Sequence, residues 1–234
     1  MIKVFQLNIQ TDNHLHRFIP YLEKENADIL CLQEVCEKDV SLIKQSLGFK
    51  QSVFQQMSVG LDGSRKIGVA IFTKFDFENV ESVFLGKEFF NVTNVSQPMQ
   101  IDFYLLKIEA AVMGEKYTFA TTHFPVTVEG SETPFQNQVC EKFLQVVEKY
   151  DNLVVTGDFN APRGRKVFGL ISQLLTDNVP ANVTTTIDQN LHRKKGIQFV
   201  VDGFFTKDLS VREVDLQDGL SDHMAITGRV AIKK

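Results

Sequence analysis

The chain has 234 residues, 43% of them apolar, with 20 Phe and no Trp. That is ample for a sizeable core, and no stretch joins low hydrophobicity to high charge as a disordered segment does. Its 25 Lys+Arg against 29 Asp+Glu give a net charge of −4, which argues against a broad non-specific nucleic-acid face yet leaves room for a small phosphorylated substrate.

The opening pattern reads as a strand over 2–8, a helix over 14–26, a strand over 28–33 and a helix over 37–47. Pro20 lies inside the first helix, which must start near it or bend there. The middle carries strand patterns at 49–56, 66–74, 77–85, 99–110 and 116–123, clearest in the runs from Lys66 and from Ile101. Thr133 then offers an N-cap, Pro134 suits the first helical position, and Gln136 sits where a capping box places its return partner. Phe135, Val139, Phe143, Val146, Val147 and Tyr150 follow at helical spacing and form a core face. A strand over 152–157, a helix over 165–175 and strands near 182–187, 197–206, 209–216 and 223–231 complete the chain.

No repeat, low-complexity tract or linker interrupts this order, so residues 1–234 are expected to form one domain. With about a dozen strands, the expected class is α/β, with two packed β-sheets flanked by helices. Cys31, Cys36 and Cys140 show no metal-ligand spacing; Cys31 reads as core and the others as ordinary thiols. No apolar stretch approaches the ~20 residues of a membrane span, and no signal-peptide pattern opens the chain. A cytoplasmic location is the resulting expectation; oligomeric state is silent.

Polar residues recur where apolar runs stop. Asn8 ends the first strand, Glu34 the second and His123 the Tyr117 run, while Asp158 and Asn160 close Gly157-Asp158-Phe159-Asn160. Asp202 follows Val200-Val201, and Ser221-Asp222-His223 comes near the C-terminus. Ligands sit at the carboxyl ends of strands in α/β folds. Carboxylates, amides and imidazoles gathered there suit a hard divalent cation and a phosphate. Each has a plainer reading: Glu34 as a charge before a helix, the Asp158 motif as a turn, His123 as a structural histidine. Adjacent Asp222 and His223 point to opposite faces if extended, so they serve different partners. Two basic clusters, Arg163 with Arg165 and Lys166, and Arg193 with Lys194 and Lys195, are candidate phosphate patches or solvated faces.

Taken in order, the early Asn8, Leu32-Gln33-Glu34, Gly68-Val-Ala-Ile-Phe-Thr-Lys74, Thr122-His123, Gly157-Asp158-Phe159-Asn160, Val201-Asp202 and Ser221-Asp222-His223 span the chain. This series resembles the endonuclease/exonuclease/phosphatase superfamily of metal-dependent phosphohydrolases, which includes deoxyribonucleases and sphingomyelinases. The resemblance implies a four-layered α/β/β/α sandwich of two mixed sheets. It also implies Mg2+ as cofactor (Mn2+ in its place), with Glu34 the principal ligand, Asn8 nearby and Asp222 close to the metal. Asp158 and Asn160 would orient water and phosphoryl oxygens, Asp202 would pair with His223, and His123 would be a second acid–base or phosphate-stabilising group. Thr122-His123-Phe124-Pro125 departs from the tyrosine-centred motif of abasic-site nucleases, as does the lack of Trp.

Phe89-Phe90 reads as core or loop rather than as a remnant membrane-docking hairpin. His192 and Arg193 stand in a loop before Asp202 and are expected to bind a second phosphate or an anionic substituent, with a surface turn as the alternative. The expected function is a phosphodiesterase or nuclease acting on nucleic acid or nucleotide-like substrates. Hydrolysis of lipid head-group or inositol phosphates is the neighbouring alternative. An inert binding module on the same fold is the alternative of another class.

Overall fold

The computed structural model describes residues 1–60, 63–91 and 98–233. Its elements are β1 (Ile2–Asn8), α1 (Leu15–Glu25), β2 (Ile29–Cys36), a 3-10 turn (Glu37–Asp39) leading into α2 (Val40–Ser46), β3 (Gln51–Val59), β4 (Lys66–Thr73), β5 (Phe77–Phe90) and β6 (Met99–Val112). They continue as β7 (Glu115–His123), α3 (Pro134–Val147), β8 (Leu153–Asp158), α4 (Lys166–Leu174), β9 (Thr176–Asp177), β10 (Asp202–Lys207), β11 (Leu209–Gln217) and β12 (Ala225–Ile232). The expected α/β class is what the molecule shows. The strands form one curled 12-stranded sheet in the order β11-β12-β1-β2-β4-β3-β6-β7-β8-β10-β9, with β5 on β6. β1 with β2, and β7 with β8, run parallel; the other pairs are antiparallel.

The sheet is continuous through a narrow seam, the single pair Ser58↔Ile101 between β3 and β6. Beyond that seam its halves face each other: β1 and β2 lie against β8, and β2 and β4 against β7. Strand periodicity shows why. Phe5, Leu7, Leu30, Leu32, Ala70 and Phe72 turn outward and pack with Phe18 and Leu22 of α1 and Ile43 of α2. The alternate residues Val4, Ile29, Cys31, Val69 and Ile71 turn inward and pack with the other half. On the far side, Val139 and Phe143 of α3 and Phe168 and Ile171 of α4 join the same core. Fully burying each such side chain is worth about 1.5–3 kcal/mol. Toward one edge the interior turns polar, with Gln6, Asn8, Gln33, Thr121, Thr156, Asp158 and Asp202 all buried.

Several local expectations change. Residues 182–187 form no strand; Ile187 makes only an isolated bridge to His223. The threonine hydroxyls there replace ladder bonds: Thr185 Oγ1 accepts from Ile187 N at 3.0 Å, and Thr186 Oγ1 accepts from Val201 N and Asp202 N, both at 3.1 Å. β10 therefore begins only at Asp202, and Asp222-His223 precede β12 rather than starting it. Phe89 and Phe90 are neither core nor loop: they end β5, paired with Gln100 and Met99, and Phe89 is 56% exposed. The capping box at α3 is half made. Thr133 accepts from Gln136 N at 3.1 Å, but the Gln136 amide turns away, donating to the carbonyls of Pro125 (3.0 Å) and Asn160 (3.1 Å).

Candidate active site

The second strand delivers its acid through a β-bulge. Pairing of β2 with β4 slips between Leu32 and Val35, and Glu34 sits at φ 55°. Regular alternation would send Glu34 outward with Leu30 and Leu32; the bulge re-aims it inward, and Val35 takes the outward place in the α1/α2 core. A left-handed non-glycine residue costs about 1–3 kcal/mol, which surrounding packing must offset. Asn8, inward-facing at the end of the parallel neighbour β1, meets it: Asn8 Nδ2 donates to Glu34 Oε1 at 3.0 Å.

The opposite half presents β7 and β8 side by side, with His123 paired to Asp158 in register. Close approach of these strands depends on Gly157, where a Cβ would lie 2.2 Å from the Thr122 carbonyl oxygen. Asp158 Oδ1 accepts from Asn160 N at 2.9 Å, fixing the carboxylate. Its Oδ2 is ringed by donors: Asn8 Nδ2 at 3.1 Å, His123 Nε2 at 3.5 Å and His223 Nε2 at 3.7 Å. The residues between these polar groups point the other way into the α3 side. Phe124 and Phe159 stack edge to face at 5.2 Å, and each also meets Phe143. The polar strand ends are thus mounted on a rigid aromatic cluster, with each ring pair adding about 0.5–1.5 kcal/mol beyond burial.

Asp202 closes the constellation. Its Oδ2 bonds His223 Nδ1 at 2.8 Å, Gln6 Nε2 approaches its Oδ1 at 3.4 Å, and Thr186 holds its backbone. Burial alone would depress the His223 imidazole, but Asp202 and Asp158 outweigh it and hold the ring well above its ordinary range. Asp222 behaves differently. Burial raises its carboxyl; His223 and the Ser221 hydroxyl pull it down, while Glu34 pushes it further up, and the net shift is upward.

One open cleft of about 610 Å³ is lined by Glu34, His123, Asp158, Asn160, His192, Arg193, Asp222 and His223. Asn8 and Asp202 lie buried directly behind it, hydrogen-bonded to Asp158 and His223. Asn160 Nδ2 is already engaged, donating to the Phe124 carbonyl at 3.1 Å. The His192 ring lies edge-on to His223 at 6.4 Å, and Arg193 makes no hydrogen bond or ion pair with any described residue.

Four other residues of the two basic clusters are structurally engaged. Arg163 pairs with Asp177 at 2.8 Å, Arg165 donates to the Glu129 carbonyl at 2.7 Å, Lys194 pairs with Glu129 at 3.2 Å and Lys195 donates to the Asn190 carbonyl at 2.6 Å. They serve as loop ties.

Two supporting roles escaped sequence reasoning. Asp188, 2% exposed, accepts from Asn190 N, Leu191 N and Gly219 N at 2.7–2.8 Å, tying the His192 loop to the Asp222 segment. Gln136 ties the loop after His123 to Asn160. An Asp closing the run Thr184-Thr185-Thr186-Ile187, and an amide on an otherwise apolar helix face, were the available signals.

Two groups compete as a cation site. Asp158, Asp202 and His223 each bring one ligand atom within 4.8 Å of the others. That group is already compensated: the imidazole is bonded to one carboxylate, faces the other, and is held protonated by both. Glu34 instead raises the cost of ionising Asp222, and the donors of this pair are all oxygen. Oxygen-only carboxylates beside an amide fit a hard divalent cation.

A sequence profile of the Endonuclease/Exonuclease/phosphatase family matches residues 5–223. Among solved structures, an endonuclease/exonuclease/phosphatase family protein from Leptotrichia buccalis is similar at TM-score 0.74 and 16% identity, covering 99% of this chain and 100% of that one. A mannosyl-6-phosphatase from Bacteroides thetaiotaomicron is similar at TM-score 0.67 and 15% identity (99% and 100% covered). The human Nocturnin catalytic domain with bound sulfate anion is similar at TM-score 0.66 and 18% identity (99% and 94% covered). No curated protein matches the sequence. The chain belongs to the endonuclease/exonuclease/phosphatase family, whose enzymes are phosphoester hydrolases and are generally dependent on a divalent metal.

Proposed function

We propose that this chain, acting as one domain, is a Mg2+-dependent phosphodiesterase for nucleic acid or nucleotide-like substrates, with Mn2+ able to replace Mg2+. The observation that carries the reading is the crowding of Asn8, His123 and His223 around Asp158 Oδ2, with Glu34 and Asp222 in the same cleft. A divalent cation held by Glu34 and Asp222, with Asn8 orienting Glu34, would neutralise charge developing on a phosphoryl oxygen.

The remaining work falls to the chain's own groups. Asp158 is fixed at both oxygens and accepts the proton of the attacking water. His223, kept cationic against Asp202, donates to an equatorial phosphoryl oxygen, so charge is met by a preorganised donor in a partly dry site. His123, at the cleft surface, supplies the second acid–base group and helps the leaving alkoxide. Asn160 positions the Phe124 backbone and, through its own backbone N–H, Asp158. Arg193, with His192 beside it, is the available cation for a further phosphate oxygen.

With Arg163, Arg165, Lys194 and Lys195 engaged in loop ties, the site favours a nucleotide-sized ester over extended duplex or a highly phosphorylated inositol. The test is hydrolysis of bis(p-nitrophenyl) phosphate by purified protein with Mg2+ and with EDTA. Metal-stimulated release that EDTA abolishes is expected; binding without any hydrolysis would point instead to an inert module.

A further inference from the structure

The catalytic groups occupy only one side of the cleft. The other is a wall of Met57 and Val59 from β3, Phe90 from β5, and Met99, Ile101 and Phe103 from β6. Alternation sets it up. Along β6, Met99, Ile101 and Phe103 share one face, while Gln100 and Asp102 share the other, bonded to each other at 2.7 Å. Met57 and Val59 are alternate residues at the end of β3, beside the Ser58↔Ile101 seam. Met57 and Phe103 are buried, whereas Val59, Phe90, Met99 and Ile101 remain part-exposed toward the cleft. The wall is therefore an apolar surface of strand residues on both sides of the seam, continuous with the polar side in one cavity.

Of the residues that β3, β5 and β6 bring to the cleft, Ser58 alone carries a hydrogen-bonding side chain, little to hold a sugar's several hydroxyls. The arginines lining the cleft are Arg65, which pairs with Asp12 at 3.7 Å, and Arg193 on the catalytic side. The thioethers of Met57 and Met99 and the phenyl rings of Phe90 and Phe103 instead suit an aromatic ring, through sulfur–aromatic and ring–ring contact. A cleft of about 610 Å³ holds a phosphoryl group together with one ring-bearing substituent.

We propose that this wall is a specificity site for an aromatic ring carried on the alcohol side of the phosphoester, so that the enzyme selects aryl or nucleobase-bearing esters over sugar phosphates. The inference rests on the hydrolase reading above. A nucleobase and a simple aryl group share the required chemistry, and the test separates them.

Calorimetric titration in Mg2+ would compare methylphosphonate, benzylphosphonate and hydrolysis-resistant adenosine 5′-thiophosphate. At least one ring-bearing ligand should bind about tenfold or more tightly than methylphosphonate, the scale of discrimination that a modest apolar contact supplies. Which ring gains more identifies the source. In Met99→Gln, and separately in Val59→Gln, that ratio should fall toward one. Equal binding of all three ligands, or a ratio that survives in the folded variants, would overturn the inference. If bis(p-nitrophenyl) phosphate is hydrolysed while the ratio is one, only the wall assignment fails. If Mg2+ stimulates no hydrolysis at all, the hydrolase reading fails with it.

Discussion

Two acidic groups share the floor of one cleft and are built on opposite principles. Asp158 and Asp202 are buried, saturated with donors and neutralised by an imidazole that they hold protonated. Glu34 and Asp222 line the same opening with no ion pair between either carboxylate and a described basic group, and burial and Glu34 drive Asp222 upward against the pull of His223. Number of ligand atoms alone would favour the first group as the metal site. Charge accounting favours the second, because a cation entering the first must displace a proton already serving both carboxylates. Proximity finds clusters; compensation decides which of them still needs an ion.

The sharpest way to break this division is to disable one side at a time. Glu34→Gln and His123→Ala should each lower turnover on bis(p-nitrophenyl) phosphate by about 10²–10⁴-fold, with circular dichroism unchanged. Wild-type-like turnover in both would defeat the assignment of either role. The mounting beneath the compensated group should be nearly as sensitive. Phe159→Ala removes a fully buried ring between Asp158 and Asn160 that meets Phe124, Phe143 and Phe205. It should cost about 3–5 kcal/mol in denaturant unfolding; a loss well under 1 kcal/mol would show that the aromatic cluster does not support the site.

Metal linkage sharpens the comparison at smaller amplitude. Mg2+ should raise the melting temperature of the wild-type protein, by mass action on the folded state. Glu34→Gln should lose most of that shift, whereas His123→Ala should keep it. The smallest effect concerns the thiols. Burial pushes Cys31 and Cys140 up to about 12 and raises Cys36 as well. Thiol titration with a chromogenic disulfide at about pH 8 should therefore be very slow until the protein is denatured, since the thiolate is the reactive form. Rapid native reaction would mean these positions open readily.

Much of the site was legible because strand ends announce themselves: apolar runs stop at Asn8, His123 and Asp158, and the topology brings those ends to one edge. The α/β class followed from the same runs. What stayed hidden was geometry that leaves no residue signature. Nothing in Leu32-Gln33-Glu34-Val35 marks a bulge, since no glycine or proline is needed for it, yet the bulge aims Glu34. The segment 182–187 reads as β by composition, but its threonine hydroxyls compete with the ladder and anchor Asp202 instead. Gln136 completes a capping pattern in the sequence while its amide bridges two site loops. The curl at the Ser58↔Ile101 seam depends on long-range pairing that local periodicity does not encode.

The most direct measurement is an anomalous difference map from crystals soaked in Mn2+. Density bridging the carboxylates of Glu34 and Asp222, with the His223–Asp202 bond intact, is the expected result. Manganese lodged among Asp158, Asp202 and His223, with no peak at Glu34, would contradict it.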